Sequence, residues 1–228
     1  MLTAIVVAAG SSKRAGFDKL VAKIAGRPVI QHTLAAFEKA ICVNDVLVVS
    51  RETVAMRHFI AKTKLRKIRR VVRGGTRRQD SVQAGLNALD GEVDFVAVHD
   101  AARPLITSRE IERVFAAARK YGAAALAAPI TDTLKVADAN RVVSGSINRE
   151  NVFAMQTPQI FRRDLLNHAY EQVKRDSLTV TDEASAIEHA GAKIVIVPAE
   201  DQNFKITYAS DLLLAEAVLK QRAAAARG

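Results

Sequence analysis

Charged side chains follow a glycine-containing break near the start of this chain, and their spacing suits a phosphorylated ligand. An apolar run over residues 2–9 ends in the loop GSSKRAGFDK, which begins at Gly10. Small residues let the backbone approach a ligand closely, so that backbone N–H groups can cradle phosphate oxygens. Arg14 and Lys19 add two positive charges to this loop. We therefore interpret it as a binding site for the phosphates of a nucleoside triphosphate.

This loop differs from the two commonest phosphate-binding motifs. No Lys-Ser or Lys-Thr follows Gly16, as a P-loop requires, and Ser12 stands where a dinucleotide fingerprint has its second glycine. An ordinary strand-to-loop turn with solvated basic residues is therefore the alternative.

A second glycine-containing break, GGTRRQDS over residues 74–81, comes after a predicted strand and opens a predicted helix. Paired glycines beside a helix N-terminus suit close backbone contact with a base or a phosphate. The alternative is a simple capped turn, with Asp80 or Ser81 as the cap.

The segment HDAARP, residues 99–104, follows a buried apolar strand. A carboxylate at the carboxyl end of such a strand, next to a phosphate-binding loop, is where Mg²⁺ would be held, so Asp100 is the candidate metal ligand. An Asp100–Arg103 pair that stabilises a turn is the alternative. His99 points to the opposite face of the strand, and we interpret it as structural.

Two further clusters add polar and basic side chains. One combines Arg149 with the segment QTPQ over residues 156–159, and the other combines TDE at 181–183 with NFKIT at 203–207. Taken singly, Thr181 could be a helix cap and Lys205 a surface lysine. Taken together, the clusters place several cations around one carboxylate, an arrangement suited to phosphoryl or nucleotidyl transfer.

Strands and helices alternate along the chain and position these clusters. Near-continuous apolar strands alternating with amphipathic helices predict an α/β fold with a doubly wound, mostly parallel sheet covered on both faces. Residues 132–161 lack a clear helix and contain short extended pieces, which predict a projecting β-arm. We expect one domain over residues 1–228.

Composition limits the classes of protein to which this chain can belong. The net charge of +10 favours anionic partners, and residues 62–73 hold seven Lys or Arg without an acid. This run lacks interleaved aromatic residues, so we interpret it as a solvated helix end leading into a strand rather than a nucleic-acid-binding face. The single cysteine suits a reducing compartment, and no apolar run approaches the roughly 20 residues of a membrane span. We expect a cytoplasmic protein that binds neither nucleic acid nor membrane.

The order of the motifs AAGSSKR, GGTRRQDSV, VHDAARP, DTLK, QTPQ, TDEAS and NFKIT resembles the 2-C-methyl-D-erythritol 4-phosphate cytidylyltransferase family of the non-mevalonate isoprenoid pathway. The resemblance runs from about residue 5 to residue 217. It implies a Rossmann-like nucleotidyltransferase fold and a homodimer whose β-arms exchange contacts. It also implies an enzyme that joins CTP and a sugar-alcohol phosphate, with magnesium as cofactor.

The resemblance also implies a role for individual residues. Arg14, Lys19 and Lys205 would be catalytic, stabilising charge on the reacting phosphate, and Asp100 would hold the metal. Substrate-binding residues would be Ala8, Ala9, Gly10, Gly75, Ser81, Ala101, Arg103, Thr133, Arg149, Thr157 and Thr181. Among these, Gly75 and Ser81 would recognise cytosine. Thr133, Arg149 and Thr157 would reach from the arm into the neighbouring subunit's site.

The chain departs from the family pattern in its first loop, which is shorter than usual. Ser12 stands where the family usually has glycine, and Asp18-Lys19-Leu20 replaces Pro-Lys-Gln, so Lys13 is an alternative to Lys19. The acceptor is expected to be 2-C-methyl-D-erythritol 4-phosphate, and ribitol 5-phosphate or another sugar phosphate is the alternative.

Overall fold

Strands and helices alternate over most of the chain. A computed structural model describes residues 1–10 and 18–225. Within these ranges the strands are β1 Leu2–Ala8, β2 Lys23–Ile24, β3 Arg27–Pro28, β4 Asp45–Ser50, β5 Ile68–Arg73, β6 Phe95–Asp100, β7 Ala123–Pro129, β8 Leu134–Ala137, β9 Val143–Ile147, β10 Phe153–Arg162 and β11 Val195–Pro198. The helices are α1 Val29–Lys39, α2 Thr53–Ala61, α3 Arg78–Asn87, α4 Ser108–Tyr121, α5 Arg163–Arg175, α6 Glu183–His189 and α7 Ser210–Ala225.

Seven strands form one central sheet in the order β11-β7-β10-β6-β1-β4-β5. All neighbouring pairs are parallel except those of β10, which runs antiparallel to both β6 and β7. The other six strands therefore share one direction, and their carboxyl ends meet at one edge of the sheet. Ligands of open α/β sheets bind at this edge.

Alternating side chains of the strands pack against helices on both faces of the sheet. Ile30 and Phe37 of α1 share one buried cluster with α4, whereas Val82 of α3 and Leu166 of α5 share another with α6. A third cluster joins α7 to Ile206. This arrangement confirms the predicted doubly wound, mostly parallel α/β fold.

Two helices near the carboxyl edge begin at other residues than the sequence indicates. Helix α3 begins at Arg78, so Asp80 is its third residue and accepts a hydrogen bond from the Arg77 backbone N–H at 3.1 Å. The prediction of Asp80 or Ser81 as the N-cap is therefore wrong. The N-cap of α6 is Asp182, whose carboxylate accepts from the Ser185 N–H at 3.0 Å, and not Thr181.

The predicted β-arm is present but shorter than expected. Strands β8 and β9 form a separate two-stranded sheet. Strand β10 lies in the central sheet, where it pairs with β6 and β7, so the expectation that the arm extends to about residue 161 is wrong. Thr157 therefore lies in the body of its own chain. Strand β10 is inserted antiparallel between two apolar strands, β6 and β7, and its own sequence carries no local signal of these two partners.

The basic run over residues 62–73 follows α2 and includes β5, an edge strand. Arg69 and Arg70 of this strand pair with Asp45 and Asp90. The run thus has the helix-end-to-strand geometry that the sequence indicates. No helix in residues 1–10 and 18–225 is long and apolar enough to cross a membrane.

Candidate active site

The predicted binding residues gather where the parallel strands end. Gly10 follows β1, Gly74 and Gly75 follow β5, and Asp100 is the last residue of β6. Because β10 is antiparallel, its amino half brings Thr157 to the same edge, beside Asp100. Segments distant in the sequence therefore form one site.

The two glycines after β5 let the backbone of their loop lie close to neighbouring parts of the chain. A Cβ atom on Gly74 would lie 2.4 Å from the Cβ of Ala9, and one on Gly75 would lie 2.4 Å from the Cβ of Asp80. Ser81 fixes the loop, because its Oγ accepts from the Gly75 N–H at 3.2 Å and donates to the Arg77 carbonyl at 3.1 Å. Ala9, Gly75 and Ser81 are thus brought together, as the resemblance implies.

Asp100 lies at the centre of the site and contacts three cations. The Nε atom of Arg78 lies 3.0 Å from its Oδ1, and the Nζ atom of Lys205 lies 2.8 Å from its Oδ2. The Nε atom of Arg103 lies 3.9 Å from Oδ2. Burial alone would raise the pKa of Asp100, but the charges of Arg78 and Lys205 outweigh burial and hold that pKa well below its usual range. The carboxylate is therefore ionised.

A buried chain of hydrogen bonds connects the backbone of Asp100 to Thr157 and His99. The Thr157 hydroxyl accepts from the Asp100 backbone N–H at 3.1 Å and lies 3.1 Å from Nδ1 of His99. Nε2 of His99 lies 3.3 Å from the Arg103 carbonyl, which can only accept, so Nδ1 accepts from Thr157. Burial lowers the pKa of His99 to about 3. His99 is thus neutral and structural, as the sequence indicates.

The segment after β11 carries Lys205 and contacts the other basic residues of the site. Lys19 donates from Nζ to the Ile206 carbonyl at 3.0 Å, and Arg103 donates from Nη1 to the Asn203 carbonyl at 2.8 Å. Lys19, Arg103 and Lys205 are therefore neighbours in space, although they are far apart in the sequence. Ala101, which follows Asp100, is fully buried.

An arginine that the sequence analysis did not single out connects two parts of this site. Besides its bond to Asp100, Arg78 donates from Nη1 and Nη2 to the two carboxylate oxygens of Glu183, at 2.8 and 3.0 Å. Tyr170 donates to the same carboxylate at 2.9 Å. Burial disfavours the charged guanidinium, but the two carboxylates outweigh burial and raise the pKa of Arg78.

One sequence signal could have identified Arg78. A cation in the first turn of a helix opposes the helix dipole, at a cost of about 0.3–1 kcal/mol at the surface. Arg78 is the first residue of α3, so once that helix start is known its unfavourable position points to a compensating partner, although Arg163 at the start of α5 has carbonyl partners rather than an anion. The sequence offered no comparable signal for Glu183, because an acidic residue at the start of α6 has the ordinary explanation of favourable interaction with the dipole.

The amino end of α6 is fixed to β10 through Gln159. The side-chain oxygen of Gln159 accepts from the Ala184 N–H at 2.9 Å, and the side-chain amide nitrogen of Gln159 donates to Asp182 at 2.9 Å. Thr181 precedes this cap and is exposed, with its hydroxyl 3.4 Å from that of Ser185. It is therefore available to a ligand.

The structure does not bring every predicted residue to this edge. Thr133 and Arg149 lie on or beside the β8–β9 hairpin and are exposed, and Arg149 donates to the Thr131 carbonyl. Ala8, the last residue of β1, is buried, and Gly10 is exposed. Arg14 lies outside the described residues.

Asp100 is suited to hold a magnesium ion that arrives with substrate phosphates. Within the described ranges, no three His, Cys, Asp or Glu side chains converge as a self-sufficient metal site. Mg²⁺ is commonly bound by one or two carboxylates together with substrate phosphates and water. A carboxylate has about four lone-pair positions, so the bonds from Arg78 and Lys205 leave acceptor capacity on Asp100. The donor set therefore fits the cation.

Comparison with known proteins assigns this chain to a family. The model of the family described as "IspD: 2-C-methyl-D-erythritol 4-phosphate cytidylyltransferase" matches residues 2–221. The 2-C-methyl-D-erythritol 4-phosphate cytidylyltransferase of Pelotomaculum thermopropionicum is 39% identical over 226 residues, covering 97% of this chain and 95% of that protein. The Shouchella clausii protein of the same name is 40% identical, covering 96% of each chain.

Solved structures show the same fold. The 4-diphosphocytidyl-2C-methyl-D-erythritol synthase from Anaerococcus prevotii superimposes with a TM-score of 0.84 at 30% identity, covering 96% of this chain and 98% of that one. The 2-C-methyl-D-erythritol 4-phosphate cytidylyltransferase from Thermus thermophilus has a TM-score of 0.76 at 31% identity, with the same coverage. The fold of this chain agrees with these structures, and the family model and the relatives match it over nearly its whole length. The chain therefore belongs to the 2-C-methyl-D-erythritol 4-phosphate cytidylyltransferase family.

Proposed function

We propose that this chain transfers the cytidylyl group of CTP to 2-C-methyl-D-erythritol 4-phosphate. The products are 4-diphosphocytidyl-2-C-methyl-D-erythritol and pyrophosphate. Family membership supports this reaction, and one structural observation carries it in this chain. Lys205 and Arg78 converge on the ionised Asp100 at the carboxyl edge of the sheet, beside the Gly74–Gly75 loop.

Nucleotide specificity would come from the loop after β5. The Gly75 N–H and the Ser81 hydroxyl lie together in this loop, hydrogen-bonded to each other, and a nucleotide base would exchange that bond for bonds to its own polar edge. Such paired donors and acceptors can read the polar edge of a pyrimidine. We assign the recognition of cytosine to this pair.

The acceptor phosphate is already an anion, so the reaction needs no general base. An oxygen of that phosphate attacks the α-phosphorus of CTP, and the bond to the pyrophosphate leaving group breaks. Negative charge on the α-phosphate is stabilised by fixed cations, of which Lys205 and Lys19 lie on adjoining backbone segments. Arg14 is expected to contribute a third charge from the first loop. Arg103 and Thr181 would contact the acceptor.

We further propose that magnesium is the cofactor and that Asp100 holds it. The ion would neutralise phosphate charge and align the triphosphate when bound. The residues of this chain that then position the carboxylate are Thr157, through its hydrogen bond to the Asp100 N–H, and the cations Arg78 and Lys205.

A homodimer formed through the β8–β9 hairpin is also part of the proposal. The hairpin exposes apolar side chains, including Val142 at 62% and Val143 at 59%. An isolated two-stranded hairpin is at best marginally stable in water, so a second copy of the chain would stabilise it. Thr133 and Arg149 would then reach the partner's acceptor site. The cytoplasmic location and the lack of nucleic-acid binding stay predictions.

One assay tests both the reaction and the acceptor. Purified protein is supplied with CTP, Mg²⁺ and either 2-C-methyl-D-erythritol 4-phosphate or ribitol 5-phosphate, and pyrophosphate release gives kcat/KM for each. We expect the branched acceptor to be preferred roughly tenfold or more, because the two acceptors differ by a methyl branch and by one hydroxyl-bearing carbon, and one methylene group alone changes kcat/KM on that scale. A preference for ribitol 5-phosphate would favour the alternative acceptor, and no pyrophosphate with either would refute the proposal.

A further inference from the structure

The Arg78 guanidinium contacts Asp100 and Glu183, two buried acidic residues of the site. Arg78 begins α3, three residues after Gly75 of the nucleotide loop. Its Nε donates to Asp100 and its two Nη atoms donate to Glu183. Glu183 begins α6, two residues after the exposed Thr181. One side chain therefore connects the nucleotide loop, the central carboxylate and the acceptor segment.

The Glu183 carboxylate is held too specifically to be an incidental ion pair. It is fully buried, it receives two parallel bonds from Arg78, and Tyr170 of α5 donates to it at 2.9 Å. Buried ion pairs often stabilise a fold no better than apolar residues of the same size. Parallel bonds between a planar guanidinium and a carboxylate do, however, fix relative orientation strongly. The geometry therefore favours a positioning role.

We propose that Arg78 and Glu183 couple the two substrate sites, so that nucleotide bound at the Gly74–Gly75 loop raises the affinity of the segment around Thr181 for the acceptor. The inference rests on the proposed function. Nucleotide contacts would fix the start of α3 and hence the guanidinium. The guanidinium would in turn fix Glu183 and the start of α6. Arg78 and Glu183 act as positioning residues, because they reach the acceptor through Thr181.

Coupling between sites is reciprocal, so it can be measured from either substrate. The probe is the CTP analogue with a methylene group between the α- and β-phosphates, which binds but cannot release pyrophosphate. Titration calorimetry gives its Kd with and without saturating 2-C-methyl-D-erythritol 4-phosphate at constant Mg²⁺. For the unaltered protein we expect the acceptor to tighten the analogue by at least about fivefold, the lower end of typical coupling.

Two variants separate coupling from folding. In Arg78→Lys and Glu183→Gln, the ratio of the two Kd values should fall to near one. A purely structural role would raise both Kd values together and leave their ratio unchanged. Arg163→Lys is the matched control, because Arg163 also begins a helix and donates to two carbonyls, but it does so at the opposite edge of the sheet. Its ratio should equal that of the unaltered protein.

A third variant keeps the inference testable if the first two do not fold. Tyr170→Phe removes one hydrogen bond to Glu183 without changing a charge, and it should lower the ratio partly. A ratio near one in the unaltered protein, or an unchanged ratio in the variants that fold, overturns the inference. Because the unaltered enzyme is assayed for pyrophosphate release in parallel, failure of the proposed function is seen separately as absent turnover.

Discussion

The Nζ atom of Lys205 lies 2.8 Å from Oδ2 of Asp100, although 105 positions separate the two residues in the chain. Lys205 lies in an irregular segment after β11, whereas Asp100 ends β6 near the middle of the sheet. The bond to Asp100 thus holds the ammonium group at the carboxyl edge of the sheet. Its position costs no reorganisation during the reaction, which is the condition for effective charge stabilisation.

Replacement of this lysine should affect turnover more than binding. We expect Lys205→Ala to lower kcat by roughly 10²–10³, the scale for removing one preorganised donor. Pyrophosphate release under saturating CTP and acceptor measures the effect. Lys220→Ala is a suitable control, because Lys220 is an exposed lysine paired with Glu216 on α7. A Lys205→Ala enzyme with normal kcat would remove Lys205 from the catalytic set.

A methyl group on the nucleotide loop should weaken CTP binding. In Gly75→Ala the new Cβ would lie 2.4 Å from the Cβ of Asp80, so the loop must move away from Asp80, which disturbs the bond between the Gly75 N–H and Ser81. The displaced loop should raise the KM for CTP roughly tenfold or more, because small changes in the position of binding groups are costly. Initial rates at varied CTP give this value.

Gly85→Ala is the matched control for that change. Its Cβ would also be crowded, 2.7 Å from Cγ2 of Ile5, but it lies in the core on the same helix. It should lower the melting temperature while leaving the KM for CTP within about twofold, since overpacking acts on stability. The same rise of KM in both variants would contradict the role assigned to Gly75.

Exchange of hairpins between two copies would allow inactive variants to rescue each other. If Arg149 serves the partner's site, a mixture of Arg149→Ala and Lys205→Ala subunits contains heterodimers with one complete site. With full exchange we expect about a quarter of the unaltered activity, because half of the dimers are mixed and each has one intact site. Native mass spectrometry verifies the exchange. Activity no higher than that of the separate variants would show that each site is built from one chain.

Stability should fall in mild acid because of His99. Its folded-state pKa of about 3 lies below the ordinary 6.5, so the unfolded chain binds a proton first as pH falls. Its contribution is therefore fully present above pH 6.5 and is lost progressively as pH falls towards 3. Between pH 7.5 and 5 the loss from this group should be about 2 kcal/mol.

Urea unfolding at the two pH values, without divalent cations, measures this loss. His99→Gln removes the titrating ring and retains polar atoms for Thr157 and the Arg103 carbonyl, so its loss of free energy of unfolding should be smaller by that amount. Other titrating groups are common to both proteins and cancel in the comparison. Equal losses in the two proteins would mean that His99 is not held neutral.

Local patterns were sufficient for most elements of the fold. The sequence pattern predicts helices over residues 108–121 and 163–175, and α4 and α5 have these bounds, since amphipathic periodicity and capping residues act within a few positions. Strand β10 was misassigned to the arm, because its antiparallel place between β6 and β7 depends on partners far away in the chain. A long connection with mixed polarity cannot by itself distinguish an exposed hairpin from a central strand.

The sequence by itself determined the parallel sheet, the glycine loops at its carboxyl edge, the central carboxylate and the family, because these depend on residue type and local spacing. Only the tertiary structure decided which cations meet that carboxylate. It brought Lys205 and Arg78 to Asp100 and placed Thr157 behind it. In the sequence, Arg78 is one of two adjacent arginines, and until the start of α3 is known nothing distinguishes it from Arg77. Its contact with the buried Glu183 arises from strand order and helix packing. Charges separated by a hundred residues interact only when folding brings them within a few ångströms and removes the water between them.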